Sequence, residues 1–192
     1  MLTTRRPVVR AVVARIRDGS RVRIRPVRRE DARHAQAFFQ WLSEETKYLR
    51  FMYRVKELTP QILEGALKQE GLRRVALVAE PLAPSANDPT PVVAIGRYAP
   101  APGEAACEVA ITVGDTWQGR GVGGALLRRL ITLARRGGYR EMCATALTTN
   151  TKMIALARAS GFDIDVEPGG VTAMRLRLDA TRDRSELGAR VA

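Results

Sequence analysis

Residues 118–124 read Gln118-Gly119-Arg120-Gly121-Val122-Gly123-Gly124, set between a β-patterned run ending at Val113 and a helical run beginning near Ala125. Four glycines in a strand-to-helix turn let successive backbone N–H groups converge on an anion. The dipole of the helix behind them favours negative charge. This segment is expected to cradle a phosphate.

Two familiar phosphate loops fit the surroundings poorly. Gly119, Gly121 and Gly124 satisfy G-x-G-x-x-G, and Glu141 lies about where a dinucleotide site has its ribose-binding acid. In that fold, however, the first glycine follows its strand directly and opens a long βαβαβ unit. Here Gly114 to Gln118 intervene and the chain is nearly finished. A nucleotide P-loop would need Gly-Lys-Ser or Gly-Lys-Thr, and neither follows. The spacing that remains is Q-x-x-G-x-G.

Working outward, Val122, Leu126, Leu127, Leu130 and Leu133 recur at helical spacing, which predicts a helix over 120–136 with those residues buried and Gly137-Gly138 ending it. Upstream, strands are expected over 75–80, 91–98 and 107–113, with 81–91 as an exposed, Pro- and Ser-containing hairpin loop. Helices are expected over 31–41 and 43–52, and a third from Thr59-Pro60, where threonine caps and proline suits the first turn. Tyr48, Phe51 and Met52, at helical spacing, read as core. Downstream come a strand over 141–147, a helix over 151–160 and two closing strands. Residues 14–17 and 21–25 flank Asp18-Gly19, the signal of a type I′ hairpin.

A length of 192 residues and 45% hydrophobic content suit one domain, expected over 10–179, with a flexible basic start at 1–9 and a flexible tail at 180–192. No apolar run reaches membrane-span length and no signal-peptide core is expected at the start, so a soluble cytoplasmic protein without membrane association is predicted. Cys107 and Cys143 lie in separate strand-like runs, without C-x-x-C and with a single histidine, so reduced thiols and no metal are expected. Residues 1–29 hold ten arginines against the single acid Asp18, or +9 of the net +12. Such a start could be a transit peptide or a nucleic-acid arm. The hairpin signal inside it and the lack of interleaved aromatics favour a strand pair whose arginines face solvent or an acidic partner, with no nucleic acid.

The Q-x-x-G-x-G spacing resembles the pyrophosphate loop of the GNAT superfamily of N-acetyltransferases. The likeness continues in the strand before it, in Asn150-Thr151-Lys152-Met153 through Gly161-Phe162, and in Arg23-Ile24-Arg25-Pro26-Val27-Arg28 with Glu30-Asp31. Residues 42–52 are similar to a segment of the bacterial Pat-type protein lysine acetyltransferases. Together these cover most of residues 20–178. The resemblance implies an α/β acyl-CoA N-acyltransferase fold, a mixed and mostly antiparallel sheet flanked by helices, here with an N-terminal β-hairpin.

It also implies direct transfer of acetyl from acetyl-CoA to an amine, without a metal. The pyrophosphate would lie on the N–H groups of Gly119, Arg120, Gly121, Val122, Gly123 and Gly124, with the Arg120 side chain adding charge. Gln118 would shape the turn or bond a phosphate. The pantetheine arm would pair with the main chain of Ile111, Thr112 and Val113. Asn150 stands where the family often has a cofactor contact, and equally reads as an N-cap; the two are compatible.

Lysine has a pKa of about 10.4, so an acceptor amine must lose a proton before attack. Glu108, interrupting an apolar run, is the expected general base, and the Pat-type resemblance puts a catalytic glutamate at this Glu-Val-Ala position. The competing reading turns Glu108 to solvent by strand alternation; Glu104 is the alternative base. Many GNAT enzymes have a tyrosine where this chain has Ala157, so no general acid is assigned. A thiol of pKa about 8.5 leaves tolerably without one. Family analogy points to protein lysines, such as those of an AMP-forming acyl-CoA synthetase, with residues 48–53 and 81–91 bordering the acceptor site. Aminoglycosides, polyamines or amino acids are the second class of acceptor, and a non-catalytic acyl-CoA sensor is the third reading. Late strands of GNAT domains often support dimers, and no exposed apolar pattern in the sequence decides the oligomeric state.

Overall fold

In the computed structural model, which describes residues 9–83, 90–102 and 105–178, Val22 and Ile24 point inward between exposed Arg21 and Arg23. That alternation builds β2 (Arg21–Pro26), antiparallel to β1 (Val12–Arg15). The turn joining them is not type I′, which needs positive φ at both central residues. Gly19 has φ of 86°, but Asp18 is not in that region. Gly19 N–H donates to Ile16 O at 3.0 Å and Ile16 N–H to Ser20 O at 2.9 Å. A longer loop over Arg17-Asp18-Gly19 results, with the Asp18 carboxylate accepting from Ser20 N–H at 3.0 Å. The expected Glu104 and most of the 81–91 loop fall outside the described residues.

The hairpin opens an eight-stranded sheet of order β1-β2-β3-β4-β5-β6-β8-β7. The remaining strands are β3 (Val75–Pro81), β4 (Ala94–Pro100), β5 (Ala106–Val113), β6 (Glu141–Leu147), β7 (Asp163–Glu167) and β8 (Val171–Arg177). Neighbours run antiparallel except β5 and β6, which are parallel because α4 (Val122–Arg136) crosses between them. The architecture is thus the expected mixed, mostly antiparallel sheet with flanking helices.

Period-two alternation sorts β3 onto two cores. Val75, Leu77 and Ala79 face the cluster that holds Leu126, Leu127, Leu130 and Leu133 of α4. Each such leucine, removed from water, contributes about 1.5–3 kcal/mol before ordering costs. Ala76 and Val78 face the opposite cluster, with Phe38 and Phe39 of α1 (Asp31–Trp41). On that side also lie α2 (Glu44–Phe51) and α3 (Pro60–Leu67), while α5 (Thr151–Ala159) packs near β7 and β8.

Caps set the helix limits. Thr59 Oγ1 accepts from Ile62 N–H with Pro60 in the first turn, as expected. Ser43 caps α2 and Met52, left-handed at φ 62°, ends it, which shortens the expected 43–52 helix at both ends. Gly137 N–H returns to Leu133 O at 2.9 Å to close α4. One hairpin arginine is not at the surface. Arg25 is 6% exposed and spans the start of α1 and β3, its guanidinium bonding both Asp31 oxygens and Glu80.

Candidate active site

The parallel register of β5 and β6 covers only Ala106↔Glu141, Cys107↔Met142 and Glu108↔Cys143. Beyond Glu108 the two strands part, so the edge of β5 from Val109 to Val113 leaves its β6 side open. Ile111, Thr112 and Val113, the expected main-chain partners of a pantetheine arm, lie on that stretch. The opening leads to the glycine turn.

That turn is built as a donor cluster. Gly114 through Trp117 form a short 3-10 turn, Gly119 (φ 72°) and Gly121 (φ 99°) take left-handed conformations, and Gly121 caps α4. Among the described residues, the N–H groups of Gly119 through Gly124 meet no acceptor, and the first recorded return bond is Ala125 N–H to Gly121 O at 3.1 Å. Free donors at the positive end of a fifteen-residue helix favour an anion. A Cβ on Gly123 would stand 3.3 Å from Leu156 Cδ2 and 3.5 Å from Val113 Cγ2, so glycine keeps β5, α4 and α5 close there.

The side chains around the turn brace it. Arg120 turns to the hairpin rather than to the free donors. Its Nε donates to Asp18, its guanidinium lies 3.8 Å from the Trp117 ring centroid, and its carbonyl accepts from Arg17 N–H at 2.8 Å. Bonds from Ser20 and Arg120 hold the Asp18 carboxyl down at about 2. The basic hairpin therefore clamps the glycine turn. Of the two expected roles for Gln118, shaping the turn is the one with visible partners. Its Nε2 donates to Val113 O and Thr46 Oγ1, both at 3.1 Å, and its Oε1 accepts from Lys152 Nζ at 2.7 Å. Asn150 is an N-cap, its Oδ1 accepting from Met153 N–H at 3.1 Å.

Asp115 was not legible as a site residue. It accepts from Ser43 N–H at 2.9 Å, Ser43 Oγ at 2.7 Å and Thr46 Oγ1 at 2.6 Å, tying the start of α2 to the glycine turn. Burial pushes its pKa up, but the three donors outweigh burial and lower it. The only sequence sign was an acid between strand and glycines, with a Ser-x-x-Thr far upstream.

On the sheet face opposite α4, a groove of about 350 Å³ opens between β4, β5 and helices α1 to α3. Phe38, Phe39, Phe51, Leu58 and Ile62 give it apolar walls, and Arg50, Arg97, Ala110 and Thr112 also line it. Glu108 shares this face through strand alternation, in register with Ala99. It is exposed, not enclosed by apolar groups as the sequence suggested, because Cys107 and Val109 take the buried side. Its charge still acts on Arg50 and Arg97. Tyr48 and Met52, expected in the core, are 45% and 41% exposed, while Phe51 reaches the groove. Ala157 is fully buried and offers no proton. Among the described residues no cluster of His, Cys, Asp or Glu could hold a metal ion, and no helix is long and apolar enough to cross a membrane.

The open strand pair, the glycine donor turn and the groove define an acyltransferase scaffold. Residues 21–163 match the Acetyltransferase (GNAT) domain family, and the chain belongs to that family of N-acetyltransferases. It is 36% identical over 164 residues to the acetyltransferase PA5475 of Pseudomonas aeruginosa, covering 84% of this chain and 85% of that protein. Its fold is similar to the GNAT domain of Streptomyces lividans PAT, at TM-score 0.76 and 30% identity, over 87% of this chain and 96% of that one. YncA of Salmonella typhimurium, solved with acetyl-CoA, shares the fold at TM-score 0.64 and 22% identity, over 84% and 96%.

Proposed function

We propose that this acetyltransferase moves acetyl from acetyl-CoA to lysine side chains of a protein, with Glu108 as general base. One observation carries the reading. Glu108 is the last residue of β5 paired with β6, where those two strands part, on the face that bears the groove. Donor and acceptor reach it from different sides. When bound, acetyl-CoA supplies the thioester carbon for attack and a thiol that leaves without a donor at Ala157.

The chain's residues do the rest. The N–H groups of Gly119 through Gly124 hold the donor's phosphates, and the free edge at Ile111, Thr112 and Val113 aligns its arm. At neutral pH, freeing a lysine amine costs about 5 kcal/mol. Glu108 takes that proton directly or through one water.

The protein acceptor rests on the resemblance of residues 42–52 to the Pat-type protein lysine acetyltransferases. A groove of about 350 Å³ is also the size of a small-molecule site, which favours small amines as the second reading. CoA-thiol release from acetyl-CoA, with Glu108→Gln alongside, tests both against acyl-CoA synthetases, polyamines, aminoglycosides and amino acids. Glu108-dependent release with a protein acceptor supports the proposal. Release with small amines alone overturns the protein acceptor. Undiminished release by Glu108→Gln overturns the base.

A further inference from the structure

The groove holds two cations that, among the described residues, no carboxylate pairs directly, Glu108 acting on them only through its charge. Among the described residues neither Arg50 nor Arg97 forms an ion pair, although both line a mostly apolar cavity whose other polar side chains, Tyr53, Gln61 and Thr112, are uncharged. Arg97 spends one donor, Nη1 to Gly65 O at 3.1 Å, and its buried Nε has no partner. Arg50 rests 5.1 Å from the Phe51 ring centroid and, among the described residues, donates no hydrogen bond.

Arg25 is the internal comparison. Buried in the same sheet, it is matched by two carboxylates, and its pKa is raised, the Asp31 bond outweighing burial with help from Glu80. Burial instead lowers Arg50 to about 10, with Arg97 adding repulsion and Glu108 partly offsetting it. Arg97 is lowered for the same first reason. Both lack the pair of carboxylates that Arg25 has. The dipole of α2 favours a cation in its last turn, which accounts for a charge at position 50 but not for its facing the groove.

We propose that Arg50 and Arg97 together bind a carboxylate on the acceptor, so that the preferred lysine has an acidic residue beside it in the substrate protein. This rests on the groove being the acceptor site of the reaction proposed above. The cation pair takes the acid and Glu108 takes the ammonium, a polarity that also fixes the direction of the incoming chain. An acidic side chain supplies the charge-assisted partner that each guanidinium lacks. The net charge of +12 attracts such a segment over a longer range.

The test uses matched lysine peptides with Glu, Gln or Lys beside the acceptor, assayed for kcat/KM with the full chain, Arg50→Gln and Arg50→Lys. Wild type is expected to favour the Glu peptide over the Gln peptide roughly ten- to hundredfold, the worth of one charge-assisted hydrogen bond. That ratio should collapse in Arg50→Gln, recover in part in Arg50→Lys, and shrink with added salt. Equal use of all three peptides, or an unchanged ratio in Arg50→Gln, overturns the inference while leaving lysine acetylation standing. No transfer to any peptide, with Arg50-dependent acetylation of free amino acids, overturns the protein acceptor and assigns the carboxylate to a small molecule.

Discussion

Gly119 and Gly121 are both left-handed, yet their surroundings differ, so the same methyl group has different effects. A Cβ on Gly119 would meet nothing within 4 Å, leaving only the backbone strain, about 1 kcal/mol. On Gly121 it would stand 3.2 Å from the backbone nitrogen of Arg17, which is fixed by its bond to Arg120 O. Gly121→Ala should therefore cost about 2–3 kcal/mol and lower Tm clearly more than Gly119→Ala. Thermal unfolding of the two variants side by side checks this. At Glu108 the opposite separation is expected. Glu108→Gln should leave Tm unchanged, because the side chain is exposed, while lowering kcat for acetyl transfer about 10²–10⁴-fold. Rate and stability measured on one preparation distinguish a base from a structural carboxylate.

The elements carrying the groove and the glycine turn are joined through Asp115. Replacing it with alanine removes the acceptor for Ser43 N–H, Ser43 Oγ and Thr46 Oγ1 together. Asp115→Ala should destabilise by about 1–2 kcal/mol, loosen the amides of α2 in hydrogen exchange, and raise the acceptor KM because α2 carries Arg50. Unchanged exchange in α2 would mean that the tether is not what holds it. This connection spans 72 residues, and no periodicity reports a contact of that kind. What was legible was local. Helical spacing found the buried face of α4, the strand expected over 141–147 is β6 at its observed limits, and Thr59-Pro60 marked the start of α3. The glycine spacing located the donor turn for the same reason, since left-handed φ is a property of single residues. The turn at Gly19 went astray because an Asp-Gly pair does not fix loop length. The contacts of Arg120 with Asp18 and Trp117 were not legible because only folding brings those residues to it. Glu108 looked enclosed because its sequence neighbours are apolar, yet in a strand those neighbours face the other way.

For the whole molecule, acid is the revealing stress, because a chain already at +12 gains charge and self-repulsion as its carboxylates protonate. Asp31 is the carboxylate whose loss reaches furthest. Fully buried, it joins β2 to the start of α1, accepting from Arg25 at 2.6 and 2.8 Å and from Arg28 N–H at 2.6 Å. Burial alone would raise its pKa, but Arg25, then Arg28 N–H and His34, more than offset that and hold it at about 2, below its ordinary 3.8. A depressed folded-state pKa gives stability that is complete above the unfolded value and disappears as pH falls through the folded one. The wild-type protein should thus lose about 2 kcal/mol between roughly pH 5 and pH 1 through this residue alone. Asp31→Asn leaves Arg25 with Glu80 only, so it should be less stable by about 3 kcal/mol at pH 7. Its stability should also fall less steeply with acid, so the two urea-unfolding profiles converge as pH drops toward 2. Parallel profiles would mean that other carboxylates carry the acid sensitivity, whereas convergence identifies the Arg25–Asp31 pair as the acid-labile joint between the sheet and the helices over the groove.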